Sequence, residues 1–569
     1  MPLVFFSRHN KQILVPEGTL LLHAARQAGI FIESPCNKEG TCGKCKVLLH
    51  RDDLAGVRHE KGFHSVTTED QQAGYVLSCQ VFINEDVRVE IPDTRQPLLK
   101  IIADGKCRMV KLDPVIKKKF DPESDTTTVT AGEHILQTET GDTTATIYGL
   151  AIDIGTTTLV VSLIDLKTGE ALRSNVALNP QALHAQDVLS RIKIGSTDEG
   201  LSLLHKELLQ ELNRMIGELA ASVTINRSTI YEAVLSGNTT MLTLTAGTSP
   251  SSLGKYPYRV ELNTAFSYAS ADLGLHIAEK GSIWFPPVAS AYVGADITAG
   301  IMAADLSRLK GVTLFVDIGT NGEMVLAENG KITATSSAAG PAFEGMNISS
   351  GMRAVAGAIE KVSICNGAVA SQTISGSRPL GLCGSGLIDA VAELTREEII
   401  DRNGRFVKPG SELFTFWQSN LEVENGRTQF RLAENVTLTQ QDIRQVQLAK
   451  AAIRAGIDMM LQTCSINPDD VNRVFIAGSF GAHLKVSSLI TLGLLPEIFF
   501  DRVEFVGNTS QSGSAALLLN RELRSDAAKM VAGMVVLELS REAAFEKIFL
   551  KALALPQLHK KHNKDLHGV

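Results

Sequence analysis

Three shortages narrow the field before any motif is read. No apolar run reaches the roughly 18–20 residues that a membrane-spanning helix needs, so no membrane partner is expected. Basic residues are not in excess: 55 Lys and Arg stand against 62 Asp and Glu, and the resulting charge of -7 is spread along the chain. That balance gives no reason to expect a nucleic-acid partner. Cysteine is sparse, eight in 569 residues, and nothing else points to a secreted disulfide scaffold. The opening Met1-Pro-Leu-Val-Phe-Phe-Ser-Arg8 carries a charge after its short apolar run and lacks a small-residue cleavage site. It reads as a strand rather than a signal peptide, and a reducing, cytoplasmic setting is expected. The hydrophobic fraction of 44% with 21% charged residues is ordinary globular composition, and the length suggests about three or four domains.

The few cysteines are concentrated. Cys36-Asn-Lys-Glu-Gly-Thr-Cys42-Gly-Lys-Cys45 holds three of them, and Cys79 follows in Leu77-Ser78-Cys79-Gln80. Four thiolates can hold an iron–sulfur cluster, and Gly40 and Gly43 let backbone N–H groups approach it with positive φ. A tetrahedral zinc site uses similar ligands, but its knuckles come as two separated cysteine pairs. Short β-rich runs at Leu3–Ser7 and Gln12–Val15 suggest a hairpin. Glu17-Gly18-Thr19 offers an N-cap for a helix ending at Gly29, and further strands are expected at Lys46–Leu49 and Asp86–Ile91. The cysteine spacing resembles that of 2Fe–2S ferredoxins of the adrenodoxin-like and bacterial kinds. By that resemblance residues 1–93 form a β-grasp domain with Cys36, Cys42, Cys45 and Cys79 on a 2Fe–2S cluster. Cys107, Cys365, Cys383 and Cys464 lack partners at ligand spacing and are expected to be small buried residues.

Residues 94–145 begin with the breaker-rich Pro92-Asp-Thr-Arg-Gln-Pro97 and continue with weak alternation and many threonines. They read as an extended linker with a small docking element. Such a tether would let the cluster swing between donor and acceptor.

Residues 146–555 carry a repeated pattern. Tyr148-Gly-Leu-Ala-Ile-Asp153-Ile-Gly155-Thr-Thr-Thr158 is a buried strand running into a tight turn, and Thr313-Leu-Phe-Val-Asp317-Ile-Gly319-Thr-Asn-Gly322-Glu323 repeats it. Two copies at this distance imply two related lobes. The turn chemistry suits phosphate: Gly155 and Gly319 permit close backbone approach, while Thr156, Thr157, Thr320, Asn321 and Gly322 supply hydroxyl, amide or N–H donors. An Asp ending each strand, Asp153 and Asp317, can hold Mg²⁺ through water. Glu323 and Glu344 are candidate water-orienting carboxylates. Gly384-Ser385-Gly386 opens a helix whose amides can face phosphate or ribose, and Leu235-Ser-Gly237-Asn238 can line the same cleft. Leu201–Ala221 and Ile443–Leu461 read as core helices, the second with Gln445, Lys450 and Arg454 on a solvated face. Residues 556–569 read as a polar tail.

At this point the chain resembles the sugar kinase, actin and heat-shock-70 superfamily of ATPases. Its two phosphate motifs look like Asp153–Thr158 and Asp317–Glu323. Its connecting motifs look like Pro287–Asp296 and Gly507–Ala516, and its adenosine motif looks like Val474-Phe-Ile-Ala-Gly478-Ser479-Phe-Gly481, with Ser479 replacing the usual second glycine. The implied fold is multidomain, α+β and α/β: a β-grasp ferredoxin, a small middle element, and a two-lobed actin-like ATPase built on ribonuclease H-like repeats.

An ATPase joined to an electron carrier suggests uphill electron transfer. At roughly 1.4 kcal/mol per 30 mV for two electrons, a one-electron step of a few hundred millivolts needs several kcal/mol, within reach of coupling to ATP. The whole architecture resembles the reductive activators of corrinoid proteins. That resemblance implies return of an inactive Co(II) corrinoid protein to Co(I) for methyl transfer, with a 2Fe–2S cluster, ATP and Mg²⁺ as cofactors. The donor would be a low-potential ferredoxin or flavoprotein, and a homodimer is compatible with the pattern. Two other classes stay open: an activator of a different metalloenzyme, and a small-molecule kinase with a redox sensor.

Overall fold

In the computed structural model, the described residues are all but 31, 33, 35–39, 41–42, 60–65, 92–104, 106–109, 263, 366, 425, 479–483 and 557–569, with the side chains of 51 and 68 also left aside. Cys36, Cys42, Cys107, Ser479 and nearly all of the polar tail therefore lie outside the described residues.

Alternation decides the N-terminal sheet. Leu3–Phe6 pairs antiparallel with Lys11–Leu14 and parallel with Val87–Glu90. Lys46–Leu49 and Tyr75–Leu77 complete five strands. Every second side chain, Val4, Phe6, Val47, Leu49, Val87 and Val89, points into one core with Leu21, Leu22, Ala24 and Ala25 of the helix Leu21–Gln27. Thr67 caps the helix Thr68–Ala73 by accepting from the Asp70 N–H at 3.1 Å, and Gly74, at φ +96°, ends it. Thr19 departs from the sequence expectation. It pairs with Ile83 in a short strand, so the first helix starts without a side-chain cap.

The stretch read as a linker with a small docking element contains a folded three-stranded sheet, Ile116–Asp121, Thr126–Ala131 and His134–Thr140. Ile116 and Val129 bury against Ala151, Ile164 and Leu517 of the following domain. Burial raises the Glu139 carboxyl, but hydrogen bonds from Lys118, Thr143, Tyr231 and Gln137 outweigh it and hold the group down to about 2. The sheet is thereby fastened to Tyr231 on a first-lobe strand.

The two copies of the hairpin pattern found in sequence become two sheets of one topology. The first runs Ala171–Leu178, Thr158–Asp165, Tyr148–Ile154, Ile230–Gly237, Ser282–Phe285, with Phe266–Ala269 at its edge. The second runs Lys331–Ser337, Gly322–Glu328, Val312–Ile318, Val471–Ala477, Val503–Gly507, with Val535–Val536 added at the other edge, beside Lys331–Ser337. In each, three antiparallel strands are continued by two parallel ones. The parallel inner strands are covered on both faces, which is why Ile230–Gly237 is buried at every position. Long helices cover the sheets, Asp198–Ser222 on the first and Gln440–Thr463 on the second.

Between the lobes the helices Ala295–Ala303 and Thr509–Leu519 cross closely. A Cβ on Gly513 would lie 2.0 Å from the Ala299 carbonyl oxygen, so only glycine permits this approach. Lys450 departs from its expected solvated face. It is buried and donates to the Ala554 carbonyl at 2.6 Å, beside Gln447, which donates to Leu553 at 3.0 Å. Its role is to hold the end of the last helix, and burial pulls its ammonium down to about 7. Cys365 is exposed rather than buried, whereas Cys383 is buried as expected.

The crossing sets a test. Gly513→Ala is expected to destabilise the ATPase domain by about 1–3 kcal/mol through overpacking. Gly533→Ala, whose added methyl meets only ordinary contacts beyond 3.5 Å, should stay within about 0.5 kcal/mol. Thermal unfolding of both variants checks this.

Candidate functional site: a phosphate cleft and a cysteine loop

Each repeated hairpin delivers an acid and a hydroxyl-bearing turn to one cleft. In the first, the Gly155 N–H donates to the Thr158 carbonyl at 2.9 Å, and a Cβ on Gly155 would lie 2.6 Å from that oxygen. In the second, Gly319 donates to the Asn321 carbonyl at 3.1 Å, and the register sets Asp317 directly opposite Glu323. Asp153 accepts from Asn508 at 2.9 Å and from Ser510 at 2.8 Å, both in the second connecting motif. Asp296 comes from the first connecting helix. Asp153, Asp296, Asp317 and Glu323 thus converge on one cleft.

Their environment opposes ionisation. Burial, then the nearby Asp296 and Asp153, push the Asp317 carboxyl up to about 7. Burial pushes Asp296 up to about 7, helped by Asp153. Burial raises Asp153 against its hydrogen bonds from Asn508 and Ser510, and Glu323 is raised well above the usual range by burial, Asp296 and Asp317. Among the described residues no three acids are placed to ligate one ion directly, so a hard divalent cation would meet this cleft through water, its charge relieving the repulsion.

Hydroxyls face the same space. Thr157 donates to Glu344 at 2.7 Å and Thr320 donates to the other oxygen of the same carboxylate. Asn238 donates to the Thr156 hydroxyl at 3.0 Å. Behind the first hairpin, the buried Arg191 donates to the Thr156 carbonyl and, at 3.1 Å, to Ala185. Burial pulls its guanidinium down to about 9 against the attraction of Asp187 and Glu344. The opposite wall carries Arg353, Cys383, Gly384 and Ser385, at the start of the helix Gly384–Arg396. These groups suit a phosphate chain with its cation.

Of the residues singled out in sequence, Asp153, Gly155, Thr156, Thr157, Asp317, Gly319, Thr320, Asn321, Glu323, Gly384, Ser385 and Gly478 all line this cleft. Gly322 and Gly386 stand elsewhere. A Cβ on Gly322 would meet Ile453 at 2.7 Å, and one on Gly386 would meet the Ile359 carbonyl at 2.1 Å, so both are glycine for packing. Sequence reasoning missed Arg353, Asn508 and Ser510 as cleft groups, and Arg191 as the buried support behind the first hairpin. Asn508 and Ser510 sit inside a motif already quoted, and their polarity at the start of a small-residue helix was the available signal.

Of the four cysteines expected from sequence to hold a cluster, Cys45 and Cys79 lie within the described residues. The strand pair Lys46–Leu77 brings them together, with the Ser78 N–H donating to the Cys45 carbonyl at 2.9 Å. Both side chains are buried, and Gln80 donates to the Cys79 sulfur at 3.7 Å. Gly40 and Gly43 adopt φ +72° and +67°. Among the described residues, the buried hydroxyls of Ser34 and Ser78 have no hydrogen-bond partner. Recessed thiols, left-handed glycines and unspent hydroxyl donors fit an iron–sulfur guest. The cysteine loop also touches the ATPase domain: Lys44 donates to the Gly351 carbonyl and, at 3.3 Å, to that of Ser349.

Because the cleft acids are raised in the folded state, it binds more protons than the unfolded chain between about pH 4 and pH 7. Without a cation, stability is therefore expected to fall as pH rises through that window. Mg²⁺ should raise the melting temperature more at pH 7.5 than at pH 5.5, and Asp317→Asn should shrink that difference. An equal Mg²⁺ effect at both pH values would contradict the arrangement.

Known proteins place this geometry. A family model described as the C-terminal domain of RACo, the ASKHA domain, matches residues 311–566, and one described as the RACo middle region matches 148–309. A model of the 2Fe–2S iron–sulfur cluster binding domain matches residues 4–84. The family's own middle region thus falls on the first lobe. The corrinoid activation enzyme RamQ of Eubacterium limosum is 29% identical over 574 residues, covering 91% of this chain and 93% of its own. A Co(II) methylated amine-specific corrinoid protein reductase of Methanosarcina barkeri is 25% identical over 411 residues, covering 67% of this chain and 71% of its own. A solved structure of a reductive activator for corrinoid, iron–sulfur protein matches with a TM-score of 0.72 at 31% identity, over 98% of this chain and 99% of that one. The chain belongs to the RACo family, with a 2Fe–2S binding domain ahead of the RACo middle and ASKHA domains.

Proposed function

We propose that this protein is an ATP-dependent reductive activator that passes one low-potential electron to an inactive Co(II) corrinoid protein and returns it to Co(I). The observation that carries this reading is the presence, on one chain, of a recessed cysteine loop and a two-lobed phosphate cleft that touch through Lys44. Cys36, Cys42, Cys45 and Cys79 would hold the 2Fe–2S cluster, which supplies one-electron chemistry. Asp153, Asp296 and Asp317 would hold Mg²⁺ through water. Thr156, Thr157, Thr320 and Asn321 would orient phosphate oxygens, and the raised carboxyl of Glu323 stands ready to hold or release a proton beside them. Gly478 follows the strand Val471–Ala477 at φ +115°, where a Cβ would lie 2.7 Å from the Ile318 carbonyl oxygen, so glycine is what lets this strand end beside the second hairpin.

Energy enters through the lobes. Nucleotide binding across both hairpins favours one arrangement of the lobes, and that arrangement selects a complex in which the acceptor is easier to reduce. The electron donor in this reading is a low-potential ferredoxin or flavoprotein, the setting is cytoplasmic, and two copies can act as a homodimer.

The test is anaerobic. The reduced protein is mixed with a Co(II) corrinoid protein, and Co(I) absorbance is followed with and without Mg–ATP. Co(I) is expected only with Mg–ATP, and Asp317→Asn should slow its appearance at least tenfold while leaving the cluster spectrum intact. Equal rates without nucleotide would overturn the reading. So would an absence of Co(I) from a protein with a reducible cluster and active ATP turnover.

A further inference from the structure

Glu344 stands at one end of a short segment whose other contacts lead out of the cleft. Both its carboxylate oxygens are engaged, one by Thr157 of the first lobe and one by Thr320 of the second. Each threonine hydroxyl has a single hydrogen to donate. A phosphate oxygen bound by these turns needs the same two hydrogens, and it brings negative charge against a carboxylate already there. Phosphate and Glu344 therefore exclude one another at this point.

The chain leaving Glu344 is not a loose flap. Gly345, at φ +75°, lies under Met352 so closely that a Cβ would meet the Met352 carbonyl oxygen at 2.4 Å. Met352 donates to the Leu382 carbonyl at 2.7 Å, and the Ser349 N–H donates to Asp442 at 2.8 Å, at the start of the long helix Gln440–Thr463. The segment is packed so that displacement at one end is felt at the other. At its apex the carbonyls of Ser349 and Gly351 accept from Lys44, the residue before Cys45. The same N-terminal domain also faces the first lobe, where Arg26 and Ser34 share a cavity with His184 and Lys193. The cluster domain thus touches both lobes.

We infer that Glu344 is a latch that occupies the phosphate site in the nucleotide-free protein and, through residues 345–351, holds the cluster domain by Lys44 until a nucleotide phosphate displaces it. The inference rests on the nucleotide reading above. Glu344 acts here as a positioning residue, and release of Lys44 frees the cysteine loop to meet an acceptor.

The test reads Lys44 directly. Full-length protein is treated with an amine-acetylating reagent, with and without saturating Mg²⁺ and the non-hydrolysable analogue AMPPNP, and modification of Lys44 is quantified by mass spectrometry. The exposed Lys119 serves as an internal control. Nucleotide is expected to raise the Lys44 rate at least fivefold and leave Lys119 unchanged. In Glu344→Ala the Lys44 rate should be high without nucleotide and should not rise further. Glu344→Gln, which keeps the shape and loses the charge, should bind a fluorescent ATP analogue about three- to tenfold more tightly. An unchanged or slower Lys44 reaction in wild-type protein that binds the fluorescent analogue would overturn the latch and leave the nucleotide reading standing. Failure to bind the analogue at all would overturn that reading and the latch with it. Weaker analogue binding in Glu344→Gln would show a carboxylate that assists phosphate rather than yields to it, which also overturns the latch.

Discussion

Like charges that cannot escape one another set the terms for this molecule. Asp153 and Asp296 come from the first lobe and Asp317 and Glu323 from the second, and the lobes meet where these four carboxyls face one cleft. Burial in the cleft and the neighbouring acids raise Asp296, Asp317 and Glu323 above the usual carboxylate range. Only a proton or a metal cation can settle that repulsion. The close crossing of Ala295–Ala303 and Thr509–Leu519, which Gly513 permits, fixes how near the two sets of acids come. Asn508 and Ser510, on the second crossing element, reach Asp153 from there. The same helix pair that joins the lobes therefore also tunes their chemistry.

Much of this was legible in the sequence because it is local. A strand, an acid, a glycine and a hydroxyl lie within a few residues of each other in each hairpin, and their repetition marks two lobes. The cysteine cluster is local in the same way, with only Cys79 arriving from a distant strand. What escaped depends on contacts across long stretches of chain. Arg191 reaches the first hairpin from 35 residues away, and Asp153 meets its partners 355 and 357 residues on. Gly322 and Gly386 looked like phosphate glycines because glycine near a turn has the same letter whether it faces a ligand or a side chain. The sheet from Ile116 was legible only as a small docking element within a linker, because its burial rests chiefly on Ile116 and Val129 among lysines and threonines, too little for periodicity to register. Lys450 misled for the opposite reason: its type predicts solvent, and only the returning chain end supplies the carbonyl that buries it.

The energetic logic follows from the geometry. A cluster alone passes electrons downhill. Reaching a more negative acceptor requires that some other favourable step be tied to the transfer, and a ligand can shift a conformational equilibrium only by its difference in affinity for the two states. Two lobes that share one phosphate site supply such a difference. A cluster domain resting on both lobes gives that difference a route to the redox centre.

The most direct measurement follows both redox centres in one sample. Reduced protein and Co(II) corrinoid protein are mixed with Mg–ATP, freeze-quenched over time, and examined by electron paramagnetic resonance. The account predicts that the signals of the reduced cluster and of Co(II) disappear together, one for one, and persist together when ATP is withheld. Steady loss of ATP with the Co(II) signal unchanged would contradict it.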